Sequence, residues 1–207
     1  MVQITFKGSE HIRVEQILEA ASHRFGIYGY EKTTMREIAK DLRISKGSLY
    51  YYFPDKENLY KAIFVREHNL FMEAIRAEIG RLVSAADMLE KFVITRLELF
   101  RSLINLAKAR LDPAYFIQGF MKDIILRNRQ QELEFLTEIL ETGIKNGEFV
   151  VSDPVETADL LIDLLKGLRQ IMLKEPLNPA EIDDAYKVVE KKTRLLINLY
   201  IQAIRIK

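Results

Sequence analysis

Residues 33–59 read TTMREIAKDLRISKGSLYYYFPDKENL, and the punctuation of this stretch decides the fold. Thr34 followed three residues later by Glu37 is a capping box, in which each side chain satisfies an otherwise unpaired backbone N–H of the other. It opens a short helix whose inner face is Ile38, Ala39 and Leu42. After a turn, Ser45 caps a second short helix from Lys46 to Phe53; Pro54-Asp55 stops that helix and caps the next. Two short helices meeting at a tight turn, with small Ala39 at the crossing where backbones must approach, make helix-turn-helix geometry.

At about 100° per residue, the second helix turns Leu49 and Phe53 inward and Gly47 and Tyr51 outward. Ser48 and Tyr50 fall on the flanks, and Lys46 sits at the N-terminus. An outward Gly costs about 0.8–1 kcal/mol against Ala in a helix interior, and less in a first turn. It makes sense where something must come close to the backbone, and duplex DNA is such an object. Tyr50, Tyr51 and Tyr52 cannot all point into the core of one short helix. At least two present rings and hydroxyls outward, towards phosphate oxygens or base edges. Lys56 lies in the first turn of the following helix, where a phosphate gains from its ammonium and from free N–H groups. Taken singly, a tyrosine-rich helix is just a packed helix and Thr34-x-x-Glu37 just a cap. The order and spacing of the set carry the reading.

The rest of the chain sets the frame. Its 207 residues, 48% hydrophobic, suffice for a small domain plus a larger one. Basic and acidic side chains number 31 and 30, so charge balance gives no hint of nucleic acid and the DNA reading rests on local pattern. There is no cysteine, which excludes disulfides, thiolate metal sites and cysteine nucleophiles. No segment has the roughly 20 apolar residues of a membrane span, and Met1–Glu10 lacks a signal-peptide run. The expectation is a soluble, cytoplasmic protein with no cofactor and no metal.

Apolar residues recur at helical spacing almost throughout. Val14, Ile17, Leu18, Ala21 and Phe25 form one face of a first helix that ends before Gly29. The fourth helix, from about Lys56 to Ile79, spans roughly 35 Å at about 1.5 Å per residue, too long for the small unit to bury alone. Further helices are expected from Asp87 to Arg110, briefly from Pro113, from Lys122 to Asn146 with Gly147 as cap, from Pro154 to Lys174, and from Pro179 to the end. The stretch Glu148-Phe149-Val150-Val151 alternates but is too short for a sheet. The fold class is all-α, with nine helices in two domains: a three-helix helix-turn-helix unit over residues 1–55 and a helical bundle over 56–207.

Gly29-Tyr30, Thr33-Thr34, Ile38-Ala39 and the run Ser45 to Phe53, with Lys56 and Leu59, closely resemble the TetR family of transcriptional repressors. The match covers roughly the first quarter of the chain. The resemblance implies that Thr34, Tyr50, Tyr52 and Lys56 bind phosphates and that Lys46, Gly47, Ser48 and Tyr51 face the major groove. Arg43 stands where the family usually has Gly. If its backbone is left-handed, Arg is strained by roughly 1 kcal/mol unless it touches phosphate. Met35 stands where some members are polar, and no DNA contact is assigned to it.

The resemblance further implies that the C-terminal helices bind a small, largely apolar inducer and form a homodimer on double-stranded operator DNA, which the inducer releases. The candidates for the ligand are His68, Phe71, Phe92, Arg96, Phe100, Tyr115, Phe116 and Phe120. Arg96 falls on an apolar stripe, where a charge is costly unless paired. It is either an anchor for a polar ligand head or half of an internal salt bridge. His68 is either a structural histidine or a ligand contact, and the aromatics either core or pocket lining. Leu161, Leu164, Leu168, Leu196, Leu199 and Tyr200 lie on two wide apolar faces that either meet a second copy or are buried within one chain. Two other classes compete. An enzyme is disfavoured because His11, His23 and His68 are far apart in sequence and no nucleophile, metal or phosphate-loop motif appears. A helical adaptor that binds only protein would show no DNA affinity.

Overall fold

The computed structural model describes residues 9–102, 119–172 and 179–206, and among these it is all helical apart from one isolated bridge. Eight α-helices follow in order: α1 Ser9–Lys32, α2 Met35–Asp41, α3 Lys46–Tyr52, α4 Lys56–Ile79, α5 Ala85–Ser102, α6 Lys122–Lys145, α7 Pro154–Met172 and α8 Pro179–Ile204. A 3-10 turn, Gly119–Met121, leads into α6. The ninth helix expected at Pro113, and the end of the fifth towards Arg110, fall outside the described residues. Among the described residues no helix is long and apolar enough to cross a membrane, and no group of three or more His, Cys, Asp or Glu could hold a metal ion.

The chain divides into two compact units. The first holds described residues 9–68 and 119–124; the second holds 69–102, 125–172 and 179–206. In the first, the long helical run of α1 stops at Gly29, as its sequence suggests. The chain breaks there, at φ 79° and ψ 168°, and a further helical turn carries α1 as far as Lys32. Glycine takes this backbone without the Cβ clash other residues meet, and the Thr33 hydroxyl ties the break by donating to the Gly29 carbonyl at 2.8 Å. The kink sends Tyr30 into an aromatic cluster, 4.9 Å from Tyr60 and stacked on Phe25 at 6.0 Å between ring centroids. Around it Ile17, Ala21, Ile38, Leu49, Leu59 and Ile63 are fully buried and form the core on which α2 and α3 rest.

In the second unit α8 packs against α5 and α7. Phe71, Leu89, Phe92, Leu136, Leu140 and Leu161 lie in its core. Glu148 organises one end. Its carboxylate accepts the Ala85 N–H at 2.9 Å, the Ala86 N–H at 3.3 Å and the Ser84 hydroxyl at 2.9 Å, so it closes the first turn of α5. Phe149 then fills the space beside Gly143, where a Cβ would lie 2.1 Å from its ring. The Val150 N–H reaches the Ile204 carbonyl and the Ile206 N–H the Glu148 carbonyl. The alternating stretch thus makes one bridge, Phe149 to Arg205, and no sheet.

Candidate nucleic-acid interface

The interface is built by three caps and one turn. Thr34 accepts the Glu37 N–H at 3.3 Å and donates its own N–H and hydroxyl to the Glu37 carboxylate at 3.0 and 2.7 Å, which completes the capping box. Ser45 accepts the Ser48 N–H at 3.0 Å and starts α3; Asp55 accepts the Asn58 N–H at 2.7 Å and starts α4. Between α2 and α3 the chain reverses through Arg43, whose φ of 53° makes it the one described non-glycine residue in the left-handed region. The Arg43 and Ile44 N–H groups reach back to the Lys40 and Ala39 carbonyls at 3.1 and 3.0 Å and hold that reversal. Ile38, Ala39, Leu49 and Phe53 are buried beneath it.

The opposite side of α3 is open. Tyr51 is 74% exposed, and Lys46, Gly47 and Tyr50 are exposed with it. Ser48 and Tyr52 are half-buried, and the Tyr52 ring meets Tyr51 edge-on at 5.1 Å. Among the described residues a Cβ at Gly47 would meet only the Ser45 Oγ, at 3.8 Å, so none of them requires glycine there. Met35 is buried and Arg43 exposed.

A shallow groove of about 270 Å³ runs between the starts of α2, α3 and α4 and brings together Thr34, Lys46, Tyr50 and Lys56. Sequence reasoning named all four. It missed a fifth, Arg36, exposed on α2 and lining the same groove. Its position two residues past the Thr34 cap was the available signal, since a cation in the first turn of a helix opposes the helix dipole. Lys56 is half-buried; its ammonium donates to the Tyr30 carbonyl at 2.9 Å and lies 4.1 Å from the Tyr30 ring centroid. Lys46 sits 5.4 Å from the Tyr50 ring centroid. Behind the groove Arg24 of α1 pairs with Asp41 at 2.7 Å and Glu37 at 2.9 Å. The Thr34 hydroxyl and N–H hold the Glu37 carboxyl below its usual range; burial opposes them, and Arg24 adds a lesser lowering.

The other sequence candidates disperse. His68 and Phe71 are buried on α4, and Phe92 is buried on α5 with its ring 6.0 Å from Phe135. Arg96 is buried and its Nε donates to Glu132 at 2.9 Å, which is the internal ion pair of the two readings left open. Phe120 joins the first unit's aromatic cluster, 5.5 Å from Tyr30. Phe100, Tyr115 and Phe116 lie outside the described side chains. A cavity of about 240 Å³ in the second unit is lined by polar groups, among them Asn69, Glu73, Arg76, Gln131, Glu134 and Glu138, and by none of the expected ligand residues. On α7 and α8, Leu164 and Leu199 are exposed and Leu168 and Leu196 half-buried. Leu161 departs from expectation, being fully buried in its own chain, and the Tyr200 hydroxyl donates to the Thr157 carbonyl at 2.8 Å. The exposed neighbours are Leu160 and Leu195.

A family model described as "Bacterial regulatory proteins, tetR family" matches residues 17–63, which enclose the whole helix-turn-helix. The HTH-type transcriptional repressor AcnR of Corynebacterium diphtheriae is 34% identical over 109 residues, 50% of this chain and 54% of AcnR, so the aligned part spans about half of that relative. The crystal structure of a transcriptional regulator from Cytophaga hutchinsonii is 33% identical, covers 94% of this chain and 99% of its own, and superposes with a TM-score of 0.79. The structure of AibR in complex with isovaleryl coenzyme A and operator DNA is 24% identical over 86% of this chain and 96% of its own, with a TM-score of 0.61. With the capped helix pair, its open α3 face and a full-length relative of this identity in hand, the chain belongs to the TetR family and is a DNA-binding transcriptional regulator.

Proposed function

We propose that this regulator represses transcription as a homodimer on a palindromic operator and is released by a small ligand. The observation that carries the DNA half of the reading is Gly47. It sits on an exposed helix face, costs helix stability, and has no packing reason among the described residues. A backbone approached closely from outside supplies the reason. Lys46, Gly47, Ser48 and Tyr51 then read bases in the major groove, while Thr34, Arg43, Tyr50, Tyr52 and Lys56 hold phosphates, with Arg36 added from the groove.

For the dimer, Leu160 and Leu164 on α7 and Leu195 and Leu199 on α8 support a two-fold interface between copies of this chain. Each pair repeats at four-residue spacing and is exposed. A Cβ at Gly167, in line with Leu160 and Leu164, would meet nothing within 4 Å, which leaves room for a partner helix. A two-fold dimer presents its recognition helices to successive major grooves when they stand about 34–36 Å apart.

For release, a ligand shifts the equilibrium only by its differential affinity for two states. The long α4 runs from the helix-turn-helix unit into the second unit, and a tilt of α4 on ligand binding would change the recognition-helix spacing. AibR, with isovaleryl coenzyme A and operator DNA in one structure, is a relative in fold that takes both kinds of partner. The expected ligand is small and largely apolar.

Selection of duplexes from a random pool, followed by binding over a salt series, tests this. Affinity should fall steeply with salt as phosphate contacts release counterions. Tyr51→Ala and Ser48→Ala should change the preferred sequence, and Lys56→Ala should weaken all duplexes about equally. Equal effects of all three on every sequence would reject the division of roles. A strictly monomeric particle would reject the dimer.

A further inference from the structure

Three cations and two carboxylates stand at the interface with opposite consequences for DNA. Arg36, Lys46 and Lys56 line the groove. Glu37 and Asp41 lie one turn apart on α2, whose start lines the groove, and Glu37 holds Thr34, itself a groove residue. Because the groove is read above as phosphate-facing, two bare carboxylates on that same short helix would repel the duplex. Neither is bare. Arg24, reaching across from α1, donates through Nη1 to Asp41 Oδ2 at 2.7 Å, and its Nη2 pairs with Glu37 Oε1 at 2.9 Å. The same guanidinium lies 5.0 Å from the Tyr28 ring centroid, which steadies it on the α1 side. Its geometry is the planar fork that lysine cannot reproduce.

We infer that Arg24 is a positioning residue for DNA binding: it neutralises Glu37 and Asp41 and holds α2 against α1, without itself touching the nucleic acid. Glu37 thus has one oxygen on Arg24 and the other on Thr34. A phosphate that draws the Thr34 hydroxyl to itself leaves the carboxylate still paired, so the exchange strands no charge. The Arg24 side chain is half-buried, and both terminal nitrogens of its guanidinium are already engaged by the two carboxylates.

A double-mutant cycle separates action through the carboxylates from direct contact. The probe is a labelled mixed-sequence duplex, titrated by anisotropy at about 50 mM and about 200 mM salt, the range over which phosphate contacts show most clearly. Arg24→Gln in the native background should weaken binding about tenfold at the lower salt, since two uncompensated charges within a Debye length of several phosphates each act on the duplex. In the Glu37→Gln/Asp41→Asn background, where the cap survives because Gln serves in a capping box, the same Arg24→Gln change should cost less than about twofold. An equal cost in both backgrounds overturns the inference and makes Arg24 a direct phosphate contact. No cost in either background overturns it as well. Lys46→Ala is the control for the groove itself. If it keeps native affinity, the groove reading fails; if it weakens binding while the cycle shows equal costs, only the role of Arg24 fails. Circular dichroism on each variant establishes that the helical fold is retained, and a variant that unfolds is replaced by Arg24→Lys, which keeps the charge but not the fork and should fall between native and Arg24→Gln.

Discussion

Arg96→Met would remove the guanidinium from a pair that the second unit has taken almost wholly out of water. The Arg96 side chain is 6% exposed and that of Glu132 is 1%, with Nε and Oε2 2.9 Å apart. Two routes give the size of the loss. With charge centres about 4 Å apart and an effective dielectric of about 20, the attraction is about 4 kcal/mol. Breaking a buried pair by deleting one partner costs about 3–5 kcal/mol, because the other charge is left buried. The double variant Arg96→Met/Glu132→Leu keeps the volume and removes both charges, so it should recover most of the loss. Urea unfolding at fixed protein concentration gives the four corners of the cycle. The reasoning is refuted if the two single changes add within about 0.5 kcal/mol.

Arg43→Gly should stabilise the fold by about 0.7 kcal/mol, the left-handed penalty of about 1–2 kcal/mol less the extra chain freedom of glycine, and raise Tm by about 2 °C. Operator affinity should fall in the same variant, and a rise in both would show that Arg43 meets no phosphate. Gly143→Ala should destabilise by about 1–3 kcal/mol despite the better helix propensity of alanine, because its Cβ would lie 2.1 Å from the buried Phe149 ring and 2.9 Å from Ala85 Cβ; unchanged thermal unfolding would contradict that packing. Glu148→Gln should cost about 1 kcal/mol at pH 7. Burial opposes the Glu148 charge, but the Ala85 N–H, the Ser84 hydroxyl and the Ala86 N–H together hold its carboxyl below the usual range. The native advantage is therefore present above about pH 4.5 and lost as pH falls through the lowered value, so native and variant melting curves should converge in acid.

What was legible in the sequence was local. Thr34, Ser45 and Asp55 cap their helices because capping needs only a side-chain oxygen two or three residues from a free N–H. Leu49 inside and Tyr51 outside follow from helical arithmetic on a helix with one packed face. On α7 the same arithmetic gives a stripe too wide to assign, with Leu160, Leu161, Leu164, Leu165 and Leu168 spread over one arc of about 140°. Periodicity then says that the helix is apolar, not which side meets its own core, and Leu161 turned out to be core while Leu160 is exposed. The partner of Arg96 lies 36 residues along the chain on another helix, a pairing no local pattern encodes. Phe120 reads as pocket lining beside Gly119, yet its ring is drawn to Tyr30, ninety positions earlier, once Gly29 kinks α1.

Two residues in the helix-turn-helix break local rules within five positions of each other, and they do so in opposite senses. Arg43 takes a left-handed backbone that suits glycine, and Gly47 occupies a helical position that suits alanine. Arg43→Gly and Gly47→Ala together would relieve roughly 1 kcal/mol or more of backbone cost, and the 3.8 Å clearance at Gly47 leaves room for the added methyl. Folding alone therefore favours the reverse arrangement. Local conflicts that packing does not explain collect where function imposes them. On the proposed reading, the cation held out at the turn serves the phosphates of a charged, grooved duplex, and the bare backbone one helical turn later serves its closeness.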